Sequence, residues 1–297
     1  MSLVLLDPGA TALRAEGERV LRAGLDEFTA IFNGPPRDSI GRPAHALTVN
    51  LSTGVAGEGD SDPGVVTVVA GERALFGFYS WQLVLLHELF HLWSAESFRY
   101  RDDREQWFNE GVAEYYMLRT ATRRGVVAPD AAPGIAAMAA GFYATAPGLG
   151  RISLREAGRT KRDHYFLVYH GGWMAATVLD VDIRRRTDGA QGLDDLMRWL
   201  YAHRDRQAQR YTLGDLVGGL KASSGIDYST FMAQYIEGTK VLPLRDYLDL
   251  GEVALGAYRR RALEALAARG GRPDVQLPPV DPALAAALGL PSDGPPR

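Results

Sequence analysis

The sequence predicts an α+β fold, a small sheet stacked on a helical body, and three observations carry that expectation. Two early stretches, "HALTVNLS" (45–52) and "GVVTVVAG" (64–71), are β-branched and bounded by turn formers, which marks strands. From about residue 79 onward the apolar residues recur almost wholly at helical spacing. The chain has 297 residues, 46% hydrophobic and 23% charged, ordinary globular composition that supplies a sizeable core.

In chain order, residues 11–33 form a helix with Leu13, Val20, Leu21, Leu25, Phe28 and Ile31 near helical spacing. The breakers of "NGPPRD" end it. The strand at 45–52 follows, then "TGVAGEGDSDPG", read as a flexible acidic loop, then the strand at 64–71. Helices are expected over 80–96, 104–124, 134–144, 163–187, 192–205, 212–223, 227–237 and 252–269. The proline- and glycine-rich end, 271–297, reads as an extended tail. The expected division is therefore 1–125, with the sheet and the first helices, then a helical part over 126–270, then the tail.

A formal net charge of -3 gives no basic excess for nucleic acid or an anionic membrane. The arginine run at 184–186 reads as a solvated helix face. No cysteine is present, which excludes disulfides, thiolate ligands and cysteine nucleophiles together. No stretch approaches the roughly 20 apolar residues that span a bilayer. The first residues lack the basic and apolar regions of a signal peptide. A soluble protein is expected, with cytoplasm and periplasm both open and no oligomeric state implied.

Chemistry concentrates in "LLHELFHLWSAES" (85–97). Residues four apart on a helix share a face, so His87 and His91 can aim nitrogens at one ion. Glu88 lies beside that face, within reach of a water on such an ion; this is the His-Glu-x-x-His arrangement with glutamate as general base. The competing reading is a buried helix whose histidines are satisfied core residues. A third ligand is offered by Glu110, eighteen residues beyond His91, in "EQWFNEGVAEYYMLR" (105–119). Its apolar neighbours imply burial, and a buried carboxylate needs a partner. That partner is either a zinc ion, one per chain with the fourth position open, or a nearby arginine. Glu114, four residues on, can accept from a ligand histidine, most simply His87, or else lies exposed on the helix surface.

"HELFH", eighteen residues and then "NEG" resembles the gluzincin metallopeptidases, specifically the aminopeptidase N superfamily and its glycyl aminopeptidase branch. "WFNEGVAEYY", "YHGGWMAATVLDVDIRRRTDGAQGLDDLMRWLY" (169–201) and "SGIDYSTFMAQYIEG" (224–238) extend the likeness over roughly 45–250. The resemblance implies a thermolysin-like zinc-binding subdomain followed by a helical subdomain closing the cleft. It also implies hydrolysis of peptide bonds in peptide or protein substrates. Tyr169 matches the catalytic tyrosine, which donates to the developing oxyanion; packing within its helix is the other reading. His164 and His170 flank it and read as structural or surface residues.

The chain departs from the family in three ways. Gly171 stands where a basic residue often follows the tyrosine. No stretch matching the amine-gripping segment precedes the zinc helix, which leaves Glu58, Asp60 and Asp62 as acidic candidates to hold a free ammonium. Neither the N-terminal β domain nor the C-terminal PDZ domain of the relatives is expected. Strand 65–69 is offered as an edge for a peptide backbone. The function expected is zinc-dependent aminopeptidase; an endopeptidase of narrow specificity and a catalytically inactive zinc-stabilised binding protein are the alternatives.

Overall fold

Four strands form one sheet in the order β1 (Ser2–Leu5), β2 (Thr48–Ala56), β4 (Val65–Arg73), β3 (Glu58–Asp62). β1, β2 and β4 run parallel, and β3 runs antiparallel along β4 at the sheet edge. The computed structural model describes residues 2–38, 40–44, 46–56, 58–73, 80–205, 207–249 and 281–290.

The expected acidic loop at 53–64 is instead the end of β2 and the whole of β3. Asp62-Pro63-Gly64 explains how β3 turns back into β4: proline fixes the first central position, and Gly64 takes φ 76°, as a type II turn requires. β4 is consequently an interior strand, not the free edge anticipated at 65–69. Period-2 alternation sorts the faces. Val49, Leu51, Val66 and Val68 are fully buried against the helices. Gly59 and Ser61 pair with Val68 and Val66, and so share the helix-facing side. Glu58, Asp60 and Asp62 pair with Val69, Thr67 and Val65 on the opposite side.

Helix α1 (Arg14–Phe32) follows a short 3-10 turn and ends where Asn33 adopts φ 55°. It crosses α2 (Trp81–Ser94) at Gly24, where a Cβ would stand 2.6 Å from Leu89 Cδ2. Phe28 meets Phe90 edge-on at 5.2 Å, and Phe32 stacks on Trp93 at 5.7 Å, so aromatic packing fixes that crossing. α3 (Gln106–Arg123) packs on α2 and is buried at every residue from Trp107 to Thr122.

Further on lie α4 (Ala132–Ala144) and the short α5 (Leu154–Arg159), which Ser153 caps by accepting from the Glu156 N–H at 3.0 Å. The helix expected over 163–187 contains a π turn, Leu167–Gly171, that runs into α6 (Gly172–Arg186). α6 meets α3 through two glycines. A Cβ on Gly172 would lie 1.9 Å from the Trp107 carbonyl oxygen, and one on Gly111 would lie 2.2 Å from the Gly172 carbonyl carbon. Only hydrogen fits at either position. Tyr115 donates to Asp180 at 2.7 Å, and Tyr116 donates to Asp194 at 2.8 Å, where Arg119 also pairs. These buried bonds fasten α3 to α6 and to α7 (Leu193–His203).

α8 (Leu213–Ser224) starts at the Thr212–Asp215 capping box and stops at Gly225, φ 75°. α9 (Ser229–Phe231) enters a second π turn, Met232–Glu237, and α10 (Leu244–Tyr247) follows. The expected helix at 252–269 lies outside the described residues. The extended tail is overturned in part, because α11 (Pro282–Ala287) is helical and packs on α6 with Leu284 fully buried. Its cap, Asp281, receives Arg185 at 2.6 Å. Arg185 and Arg186 lie exposed on the helix, as the solvated-face reading expected, while Arg184 is partly buried and pairs with Asp180 at 2.7 Å. Among the described residues no helix is long and apolar enough to cross a membrane.

Candidate metal centre

α2 is buried around almost its whole circumference, with Glu88 half-buried among buried neighbours on both sides. One turn apart, His87 and His91 bring their Nε2 atoms to 3.0 Å of each other. α3 supplies the third group: Glu110 Oε2 stands 3.4 Å from each of these nitrogens. All three side chains are buried.

The spacing tests the fit to a metal. Ligands held tetrahedrally at about 2.0–2.1 Å from zinc stand about 3.3–3.4 Å apart, and the three separations here are 3.0, 3.4 and 3.4 Å. Two imidazoles and a carboxylate converge as a zinc triad requires. In the chain itself, burial pushes the His87 imidazole down, but Glu110 and Glu114 outweigh it and hold it well above its ordinary value. Burial likewise pushes the Glu110 carboxyl up, but hydrogen bonds from His87 and His91 outweigh it and keep it well below the usual range. A proton shared among these groups is what a cation displaces on binding.

The outer nitrogens meet different neighbours: an ion-pair contact outside hydrogen-bond geometry at His87, and a hydroxyl at His91. His87 Nδ1 lies 3.3 Å from Glu114 Oε1, and Glu114 is buried rather than exposed on the helix surface. His91 Nδ1 lies 3.1 Å from Ser94 Oγ, a contact the sequence reading missed although Ser94 sits one turn on along the same helix. The outer oxygen of Glu110 is taken by a lysine, not by an arginine as the competing reading had it: Lys161 Nζ is 2.9 Å from Oε1. Nothing local in the sequence points to Lys161, which is 51 residues from its partner.

Above this triad, Gly59 of β3 lies directly on Glu88; a Cβ there would stand 2.5 Å from Glu88 Cγ and 2.7 Å from Val84 Cγ1. Burial raises the Glu88 carboxyl from its ordinary value, with His87 and His91 opposing. On the far side the π turn presents Tyr169, whose ring stacks on His87 at 6.1 Å and on Tyr165 at 4.1 Å. Burial drives the Tyr169 phenol far above its ordinary value, with Glu110 adding, so it stays a proton donor. Gly59, Val84, His87, Glu88, Glu114, Met117, Tyr165 and Tyr169 enclose a cavity of about 130 Å³.

Glu58, Asp60 and Asp62 are not gathered into this cleft. Strand register puts them on the face opposite Gly59, although the charge of Asp60 still reaches Glu88 and helps to raise it. His170 is fully buried and stacks on Phe142 and Phe166 at 5.3 and 5.5 Å, and burial lowers its imidazole.

The chain matches no protein-family model, and no curated protein matches it by sequence. Solved structures match its fold. An aminopeptidase N family protein from Idiomarina loihiensis superposes with a TM-score of 0.68 at 15% identity, covering 82% of this chain and 46% of that one. An M1 zinc metallopeptidase from Deinococcus radiodurans gives 0.52 at 20% identity over 80% of this chain and 46% of that one. Yeast LTA4 hydrolase, in complex with bestatin, gives 0.58 at 15% identity over 82% of this chain and 38% of that one. The chain thus spans less than half the length of these structures. Its small sheet and many helices share the fold of the matched portions of these structures.

Proposed function

We propose that this chain is a zinc-dependent metallopeptidase of the aminopeptidase N type, its 1–125 part thermolysin-like and its 126–270 part closing the cleft. The observation that carries the proposal is the convergence of three buried ligand atoms, two separations at the tetrahedral 3.4 Å and one shorter, 3.0 Å. His87, His91 and Glu110 would hold one zinc ion. When bound, zinc supplies Lewis acidity, bringing the pKa of a water toward about 7 and polarising a carbonyl.

The remaining work falls to side chains. Glu88, raised toward working pH by burial, takes a proton from the attacking water and returns it to the leaving amine. Tyr169 keeps its phenol proton and donates to the carbonyl oxygen as charge develops there. β3, the antiparallel edge strand, pairs with an extended substrate backbone. Gly59 leaves that strand close against Glu88.

A second reading, an endopeptidase on the same centre, is favoured by one observation: Glu58 and Asp62 face away from the cleft, so they are poor anchors for a free ammonium. Cleavage of a peptide library with free and N-acetylated termini, followed by mass spectrometry, tests both readings. Loss of terminal residues one at a time from free ends only is the result expected of an aminopeptidase. Internal cuts insensitive to acetylation establish the endopeptidase. Absence of cleavage by zinc-loaded protein would sink both.

Glu114 is assigned to orient His87 through Nδ1. Glu114→Ala is expected to weaken zinc binding about 10- to 100-fold, the usual cost of losing such a partner. Competition with a chromogenic chelator measures it, and affinity within twofold of wild type would remove Glu114 from that role.

A further inference from the structure

The two oxygens of Glu110 have divided surroundings. Oε2 faces His87 and His91 at 3.4 Å each. Oε1 faces away and accepts from Lys161 Nζ at 2.9 Å. A carboxylate with both oxygens free can bind a cation through one or both. Here one oxygen is already engaged by a cation in a charge-assisted hydrogen bond. The Glu110 side chain is only 7% exposed, so its outer oxygen has little access to water, whereas the Lys161 side chain is 32% exposed at the rim.

Lys161 has a second neighbour. Its ammonium stands 5.5 Å from the centroid of the Tyr169 ring, within reach of a cation–π contact. Lys161 and Tyr169 belong to one segment, the turn at 160–164 and the helix it enters. One ammonium thus bonds a carboxylate of α3 and stands near a ring of its own segment. Its charge also offsets that of Glu110, so the triad with its outer partner carries less net negative charge toward a divalent ion.

We infer that Lys161 is a positioning residue of the metal centre: it holds Glu110 Oε1 aside, restricts that carboxylate to one ligating oxygen, and ties it to the segment bearing Tyr169. The inference rests on the zinc reading above. A merely structural ion pair would contribute to folding without altering how the carboxylate meets the metal.

The test compares zinc-loaded wild type with Lys161→Met and Lys161→Arg. In Lys161→Met, X-ray absorption at the zinc edge is expected to show about one additional light-atom ligand as Oε1 swings inward. Zinc affinity by chelator competition is retained or raised. On a peptide substrate kcat falls about 10- to 100-fold, the range for outer partners of metal ligands, while KM stays within about threefold. Lys161→Arg, which keeps charge and donors, restores the wild-type spectrum and most of kcat. A Lys161→Met spectrum superimposable on wild type overturns the inference, as does a lower melting temperature of the metal-free chain with no other change. Zinc-loaded wild type that cleaves no peptide defeats the peptidase reading, while the spectra still judge Lys161. A chain that takes up no zinc defeats both.

Discussion

Glu88→Gln retains one zinc per chain and loses turnover by about 10²- to 10⁴-fold, the range ascribed to a positioned general base. The amide has the same shape as the carboxylate, so the contact with Gly59 and Val84 survives. It cannot accept a proton at any working pH. Since Glu88 is not among the three ligand side chains, metal content and melting temperature stay close to wild type. Elemental analysis, a thermal melt and single-turnover kinetics on one peptide give the three readings. Turnover within threefold of wild type would remove Glu88 from the chemistry. Loss of zinc would mean that the residue helps to build the site.

Gly172→Ala leaves little folded protein. The added methyl would stand 1.9 Å from the Trp107 carbonyl oxygen and 2.9 Å from Gly111 Cα. Both obstacles are backbone, so no side chain can swing away; α6 must move off α3. Overpacking a core costs about 1–3 kcal/mol where side chains can adjust, and a rigid backbone clash exceeds that range. At about 2–4 °C per kcal/mol for a domain of this size, the melting temperature falls by roughly 10 °C or more. Gly141→Ala in α4 is the control, since nothing lies within 4 Å of the new Cβ; it is neutral or slightly stabilising. A Gly172→Ala protein melting within about 2 °C of wild type would show that the two helices are not held at that distance.

The convergence of His87, His91 and Glu110 was legible because its signals are local or regularly spaced. His87 and His91 share a helix face by arithmetic, and the apolar residues around Glu110 announce burial. β3 was illegible for the opposite reason. A strand written Glu-Gly-Asp-Ser-Asp has no apolar alternation, because one side faces solvent and the other must stay small against Glu88. Only the Asp-Pro-Gly turn hinted that the chain doubles back. That omission made β4 look like a free edge and left Glu58 and Asp62 as candidates for the cleft, which strand register opposes. Lys161 was invisible because its contact spans 51 residues and belongs to no periodic pattern. The π turn was also missed, because the apolar residues around Leu167–Gly171 are dense enough to hide a shift in the helical phase. α11 was hidden by its flanking prolines and glycines, although "PALAAALG" carries the small and apolar residues that bury it.

α3 differs from an ordinary surface helix in having no outward side between Trp107 and Thr122. Glu110 and Glu114 turn toward the histidines, Gly111 toward α6, and Tyr115, Tyr116 and Arg119 toward acidic residues of α6 and α7. Sixteen consecutive positions are thus buried, and six of them meet named partners on α2, α6 and α7. Substitution is easier at exposed positions, such as those of α1 and α4. α3, 18 residues long, is thereby tied to the geometry of three other helices at once.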